Sequence, residues 1–341
     1  MYAKLLLSKE ESFLIDFLFK KNKLKNYNFS SINYELLTHI SSSHMLLPLL
    51  YFKLKEQGDS EKVPTDFLRY IKEIYKINKG RNRKLIKETV EISRILNSNK
   101  INHVFLKGTA NIFSNIYDDI GVRMIGDIDI LVDSKDFNRT IKKFKELGYK
   151  SIIQDQILTK FYKHYPRMTK KGKLFAIEIH KEIVNPKYSN LVSSKKILEK
   201  KIRNKNIFVP NKVHQIKIQI YNHQINDYGF LTNRYNLRAM YDILKIVDTS
   251  GIEKKLYMRN NFTKHFFDLT DILTITEVNK YLNKYLIFKI NLSRRFKLIY
   301  YFNNLMNEKI HIKLFKFEFK KFLKDSDYRK YIFIKSGIVK I

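Results

Sequence analysis

Residues Val104–Val132 read VFLKGTANIFSNIYDDIGVRMIGDIDILV, and the fold turns on how they are read. A short apolar run ends in Lys107-Gly108-Thr109. A helix-like segment follows, then Arg123, then a second apolar run that carries Asp127 and Asp129. Side chains alternate faces along a strand, so these two carboxylates point the same way. Ile128, Ile130 and Val132 then point the other way, into a core. Facing carboxylates repel, and an apolar strand that carries both calls for a cation. Mg²⁺, or Mn²⁺, suits such a pair, because it takes a few carboxylates together with substrate phosphates and water.

Outward from this stretch, strands and helices alternate. Ile101–Leu106 and Asp127–Val132 read as strands, and Thr109–Tyr117 and Lys135–Leu147 as helices, the latter stopped by Gly148. Tyr149–Ile153, Phe161–Met168 and Leu174–His180 read as further strands, the last two forming a hairpin around Lys170-Lys171-Gly172-Lys173. The fold class is α+β: a small mixed sheet with helices packed on it. On Leu174–His180, Phe175, Ile177 and Ile179 face inward, while Glu178 and His180 share the other face. If this strand lies beside Asp127–Val132, Glu178 joins the acid pair as a third carboxylate, the arrangement of a metal clamp. His180 then orients Glu178 or touches the acceptor, unless it is structural.

Helical periodicity occupies both flanks. Before the sheet, Glu10–Lys20, Ser31–Ser43 and Thr65–Asn97 carry apolar residues at helical spacing, with Ser30 or Ser31 as the start of the second and a break near Gly80 in the third. After it, Lys212–Asn226 and Arg234–Val247 read as helices, and the chain is expected to stay helical beyond Asn185. The organisation is residues 1–83 as an N-terminal helical region, 84–185 as the core, and 186–341 as a C-terminal helical region. Gly108 at a strand-to-helix turn lets a phosphate approach the backbone, with Thr109 adding a hydroxyl and Lys107 a point charge. Arg123 either clamps phosphoryl oxygens or pairs with Asp127 or Asp118 as scaffold. Arg238, Tyr241 and Asp242 share a helix face, either lining a nucleotide pocket or forming an Arg238–Asp242 ion pair.

LKG, then R-x-x-G-D-I-D-I-L-V, a helix ending E-L-G-Y and an E-I-H strand together resemble the uncharacterised nucleotidyltransferases of the DNA polymerase β-like superfamily. The resemblance is good over residues 84–185 and continues more weakly through His214, His223 and the LRAMYDIL of Leu237–Leu244. It implies an enzyme with an NTP as substrate, held at Gly108-Thr109. It also implies Asp127 and Asp129 as metal ligands and Glu178 as the third acid, a base toward the acceptor hydroxyl. Thr109 stands where the superfamily often has Ser, and Lys181 where this family often has an aromatic.

The 341 residues carry 66 Lys+Arg against 33 Asp+Glu, a formal charge of +33. That field attracts polyanions, which points to RNA, a tRNA end included, as the acceptor. A protein side chain or a small hydroxylated metabolite is the rival. The absence of Cys excludes disulfides, Cys-ligated zinc and a thiol nucleophile, and fits a cytoplasmic protein. The longest apolar stretch, around Met45–Phe52, is too short to span a membrane. A different class of reading is a non-catalytic nucleic-acid binder, gripping single strands through the Lys- and aromatic-rich residues 252–341. A membrane-surface role for that segment is a lesser alternative, its periodicity being irregular.

Overall fold

The computed structural model describes residues 5–19, 28–151, 163–251, 253, 260–274 and 284–295, with the single positions 323 and 326. Most of the basic, aromatic C-terminal stretch therefore lies outside the described residues. So do parts of the strands expected at Tyr149–Ile153 and Phe161–Met168.

Four helices precede the sheet: α1 (Lys9–Phe19), α2 (Tyr34–Ser43), α3 (Leu47–Glu56) and α4 (Thr65–Ser98). The start of α2 is set by Asn33, whose side chain accepts the Leu36 N–H, and not by Ser30 or Ser31. Sequence reading passed over α3. Its Pro48 falls in the first turn, where the missing N–H has no helical partner to lose. The expected break in α4 does not occur: Gly80 sits inside a continuous 34-residue helix with open space beside it. That helix runs straight through the 83/84 boundary.

The sheet contains β1 (His103–Phe105), β2 (Asp127–Val132), β3 (Lys150–Ser151), β4 (Met168–Thr169) and β5 (Ala176–His180), in the order β1-β2-β5-β4-β3. Helix α5 (Lys107–Phe113) joins β1 to the segment before β2, and α6 (Phe137–Glu146) follows β2. β2 and β5 are parallel; the other neighbours are antiparallel. Leu174–His180 forms the expected hairpin with β4, Met168 facing Ile177, and Gly172 takes the left-handed backbone of the turn (φ +82).

The sheet is covered on both sides. Ile128, Ile130 and Val132 pack with Leu85, Ile92 and Leu96 of α4, Phe144 of α6 and Ile177 and Ile179 of β5. Leu131, on the acid-bearing face, is equally buried, in a larger core shared by the N-terminal helices and the helices after the sheet. Phe13, Leu37 and Leu50 meet Ile216, Met240 and Phe266 there, so the two flanking helical regions bury one common core. Along β2 only Asp127, at its first position, is not buried; Asp129, on the same face, is enclosed.

The expectation of unbroken helix beyond Asn185 fails at Lys201–Asn204 and Ile207–Pro210, which form an antiparallel hairpin. Lys205 and Asn206 make its two-residue turn, both with positive φ (46° and 71°), the backbone that suits a tight hairpin. Phe208 stacks edge-on against His103 of β1, with centroids 5.5 Å apart. The next helix is Lys212–Tyr221, ending in a π-turn at Asn222–Asn226. Leu237–Ser250 is capped by Asn236, so this helix starts three residues later than the expected Arg234. No helix among the described residues is long and apolar enough to cross a membrane.

Candidate active site

Parallel pairing sets the site. In the β2–β5 register Asp129 lies opposite Glu178, and Asp127 opposite Ala176. Residues two apart share a face, so Asp127, Asp129, Glu178 and His180 converge on one side of two adjacent strands. Ligand atoms of Asp129, Glu178 and His180 all lie within 4.8 Å of one another. All three are buried, with Asp129 at 3% exposure; Asp127, at the strand's first position, is half-buried.

Cations of the protein already meet these acids. Lys107 Nζ is 2.6 Å from Asp129 Oδ1, and His180 Nε2 is 2.8 Å from the same oxygen and 3.5 Å from Glu178 Oε2. Arg167 donates from Nε to Glu178 Oε1 and from Nη2 to Asp127 Oδ2, both at 2.8 Å. The acids respond differently. Burial alone would raise the Asp129 carboxyl, but Lys107 and His180 together hold it well below the carboxylate range. Glu178 is also lowered: burial opposes ionisation, and His180 and Arg167 outweigh it. Asp127 is raised, by burial first and then by the Asp129 and Glu178 charges beside it. Burial depresses Lys107, yet Asp129 more than restores it, so its ammonium is held above the usual range. The neighbouring Lys163 has no ion pair among the described residues: burial, then the charge of Lys107, pull it down to about 8.

The donor set fits a divalent cation. Asp129 and Glu178 offer the carboxylate oxygens that a hard divalent cation takes, and His180 adds an imidazole nitrogen within ligand distance of them. Ammonium and guanidinium groups at those oxygens show that the acids draw positive charge.

The other expected residues fall into three groups. Lys107 opens α5 with a positive φ of 50° and reaches the acids. Gly108 and Thr109 come next but are buried. Glycine is required at 108 because a Cβ would lie 2.9 Å from Ile125 Cγ1. The Thr109 hydroxyl is buried without a hydrogen-bond partner among the described residues. Arg123 pairs with neither Asp118 nor Asp127. Its Nε donates to Asp242 Oδ2 at 2.8 Å and its Nη1 to the Met124 carbonyl. Tyr117 donates its hydroxyl to the other oxygen of Asp242, at 2.7 Å. Asp242 is therefore a buried anchor for Arg123 and not the partner of Arg238. Arg238 Nη1 rests on the Met45 sulfur at 2.6 Å. Burial, then the charge of Arg123, lower its guanidinium to about 10. Tyr241 belongs to the large core, with its ring 6.4 Å from Phe19, because its side of the helix faces inward. The Tyr241 ring is thus packed within the core, at 7% exposure.

Two sets of residues escaped the sequence reading. Arg167 belongs to no recognisable pattern; only its place just before the hairpin partner of β5 marks it. Asn78 and Asn82 of α4 donate to the backbone carbonyls of Ile120, Gly121 and Arg123, at 2.7 Å to Gly121 and 2.8 Å from Asn82 to Arg123. They hold the segment that carries Arg123. A signal existed: two amides one turn apart on the apolar stripe of an amphipathic helix.

Acids paired across two parallel strands, with basic groups at their oxygens, form a cluster that could hold a divalent cation. The sequence profile described as Uncharacterised nucleotidyltransferase matches residues 30–259, and the chain belongs to that family. It is a nucleotidyltransferase. The match starts upstream of residue 84, so it includes α2, α3 and α4 as well as the sheet. No curated protein matches the chain.

Proposed function

We propose that the protein transfers a nucleoside monophosphate from an NTP to a hydroxyl acceptor, with Mg²⁺ or Mn²⁺ at the acid cluster. The observation that carries this reading is the register that sets Glu178 beside Asp129, with His180 and Asp127 on the same face. In this reading Asp127, Asp129 and Glu178 hold the cation, which supplies charge neutralisation to the phosphates when bound. The acceptor oxygen forms a bond to the α-phosphorus, the bond to the bridging oxygen breaks, and pyrophosphate leaves. Glu178 takes the acceptor's proton. Lys107, and the turn at Gly108-Thr109, face the triphosphate; the partnerless Thr109 hydroxyl supports that assignment. His180 fixes Asp129 and Glu178 in orientation. Catalysis of this kind is mostly positioning and electrostatics.

For the acceptor, the surplus of 66 basic over 33 acidic residues supports RNA. The test is incubation with each labelled NTP, Mg²⁺ or Mn²⁺, and total cell RNA or an RNA-free extract. Label on RNA that weakens steeply with added salt supports the whole reading. Label only on a small molecule or a protein replaces the acceptor, and no transfer to any acceptor overturns the reaction.

A further inference from the structure

Arg167 is the group at the acid cluster that the transfer chemistry above leaves without a task. Its one guanidinium spans two strands, joining Asp127 on β2 to Glu178 on β5. Its side chain is nonetheless 61% exposed, while the carboxylates it touches are 19% and 11% exposed. Its backbone is fixed next to Met168, which pairs with Ile177, so the side chain alone is free to move.

We propose that Arg167 is a phosphate ligand for the incoming nucleotide, resting on the metal-binding acids until cation and nucleotide enter. The proposal depends on the reading of the cluster as a divalent-cation site. Charge balance supports it. Among the groups in direct contact, Asp127, Asp129 and Glu178 face Lys107 and Arg167, which leaves one negative charge in excess, His180 aside. A divalent cation turns that into one positive charge in excess. Arg167 is then repelled from a site it formerly neutralised, and a triphosphate is the nearest replacement anion. Leaving is compensated, because the entering cation takes over the neutralisation of the two enclosed carboxylates, and the guanidinium, mostly in solvent, keeps its hydration. Arriving is favourable, because a guanidinium meets phosphate oxygens with two parallel donors and never loses its charge. Lys107 is the contrasting case. It reaches a carboxylate that is almost wholly enclosed and stays with it.

The test measures Mn²⁺ binding by electron paramagnetic resonance, with wild type, Arg167→Met and Arg167→Lys. It then measures binding of an NTP analogue whose α–β bridging oxygen is a methylene, at saturating Mn²⁺. The expected result for Arg167→Met is tighter Mn²⁺ binding without nucleotide, by about fivefold, since a competing cation is gone. The same variant binds the analogue at least about tenfold more weakly. Arg167→Lys keeps a point charge without the fork, so it falls between wild type and Arg167→Met in both assays. The proposal is overturned if Arg167→Met binds Mn²⁺ no more tightly than wild type, or if analogue affinity is unchanged. Asp129→Asn separates the two levels. Wild type that binds Mn²⁺ no better than Asp129→Asn removes the cation site itself, whereas a cation site insensitive to Arg167 removes only this inference.

Discussion

Arg123 and Arg167 both rest on carboxylates, and their surroundings have little in common. Arg123 is 12% exposed and its partner Asp242 1%. Both Asp242 oxygens are occupied, one by Arg123 and one by the Tyr117 hydroxyl, which in turn accepts from Asn111 at 2.9 Å. Burial would lower the Arg123 guanidinium, and Asp242 more than offsets it. Arg167 is largely in solvent and bridges acids that crowd one another. The same chemical pair is therefore scaffold in one place and an exchangeable contact in the other. Enclosure decides which, since a buried charge without its partner is costly and an exposed one is not.

The comparison breaks or sharpens at several points. The largest effect is expected at the acid cluster. Asp129→Asn should lower nucleotidyl transfer by about 10⁴-fold, equivalent to about 5 kcal/mol of lost charge stabilisation, with an unchanged circular-dichroism spectrum. Turnover near wild type would remove the cluster from the chemistry. Next comes Asp242→Ala, which strands Arg123 in the interior. It should destabilise the fold by about 3–5 kcal/mol in denaturant titration. A loss below about 1 kcal/mol would mean that the Arg123 network is no more structural than the exposed pair.

A smaller effect is expected from Asn82→Ala, which leaves the Ile120 and Arg123 carbonyls short of a donor. About 1–3 kcal/mol of stability should disappear, measured by thermal unfolding.

Lys163 gives a pH signature. Its ammonium titrates near 8, below the ordinary 10.5, so the fold disfavours the charged form. That penalty is complete below pH 8 and is relieved as pH rises from 8 to 10.5. Lys163→Met should therefore raise the unfolding temperature at pH 7, by an amount that shrinks over that interval. Binding of an NTP analogue should behave oppositely, strongest below pH 8 and weaker above it, and Lys163→Arg should flatten that limb. An identical profile in the Arg variant would place Lys163 away from the nucleotide. The smallest change is expected in the stability of Arg167→Met, within about 1 kcal/mol of wild type.

Much of this centre can be read before folding. Alternation along Asp127–Val132 fixed two acids to one face, and the apolar positions of Leu174–His180 put Glu178 and His180 opposite the core. These are local consequences of strand geometry, and the structure keeps them. The helix after Gly108 and the hairpin at Gly172 are legible for the same reason. The face assignments of Tyr241 and Asp242 were local too, yet the outcome was not. A helix face acquires meaning only from what packs on it, here Phe19 from the first helix and Arg123 from the loop before β2. Asn78 and Asn82 were passed over because their acceptors lie about forty residues away.

Sequence by itself determined the class of the fold, the direction of each acid on its strand and the chemistry those acids suit. Periodicity and side-chain type are properties of short segments, and they survive folding. The tertiary structure decided which strands are neighbours and in what register, which arginine is sealed in and which is left in solvent. It also decided that the two helical flanks share a single core. Those outcomes depend on contacts between residues far apart in the chain, where burial and the meeting of charges set the energies.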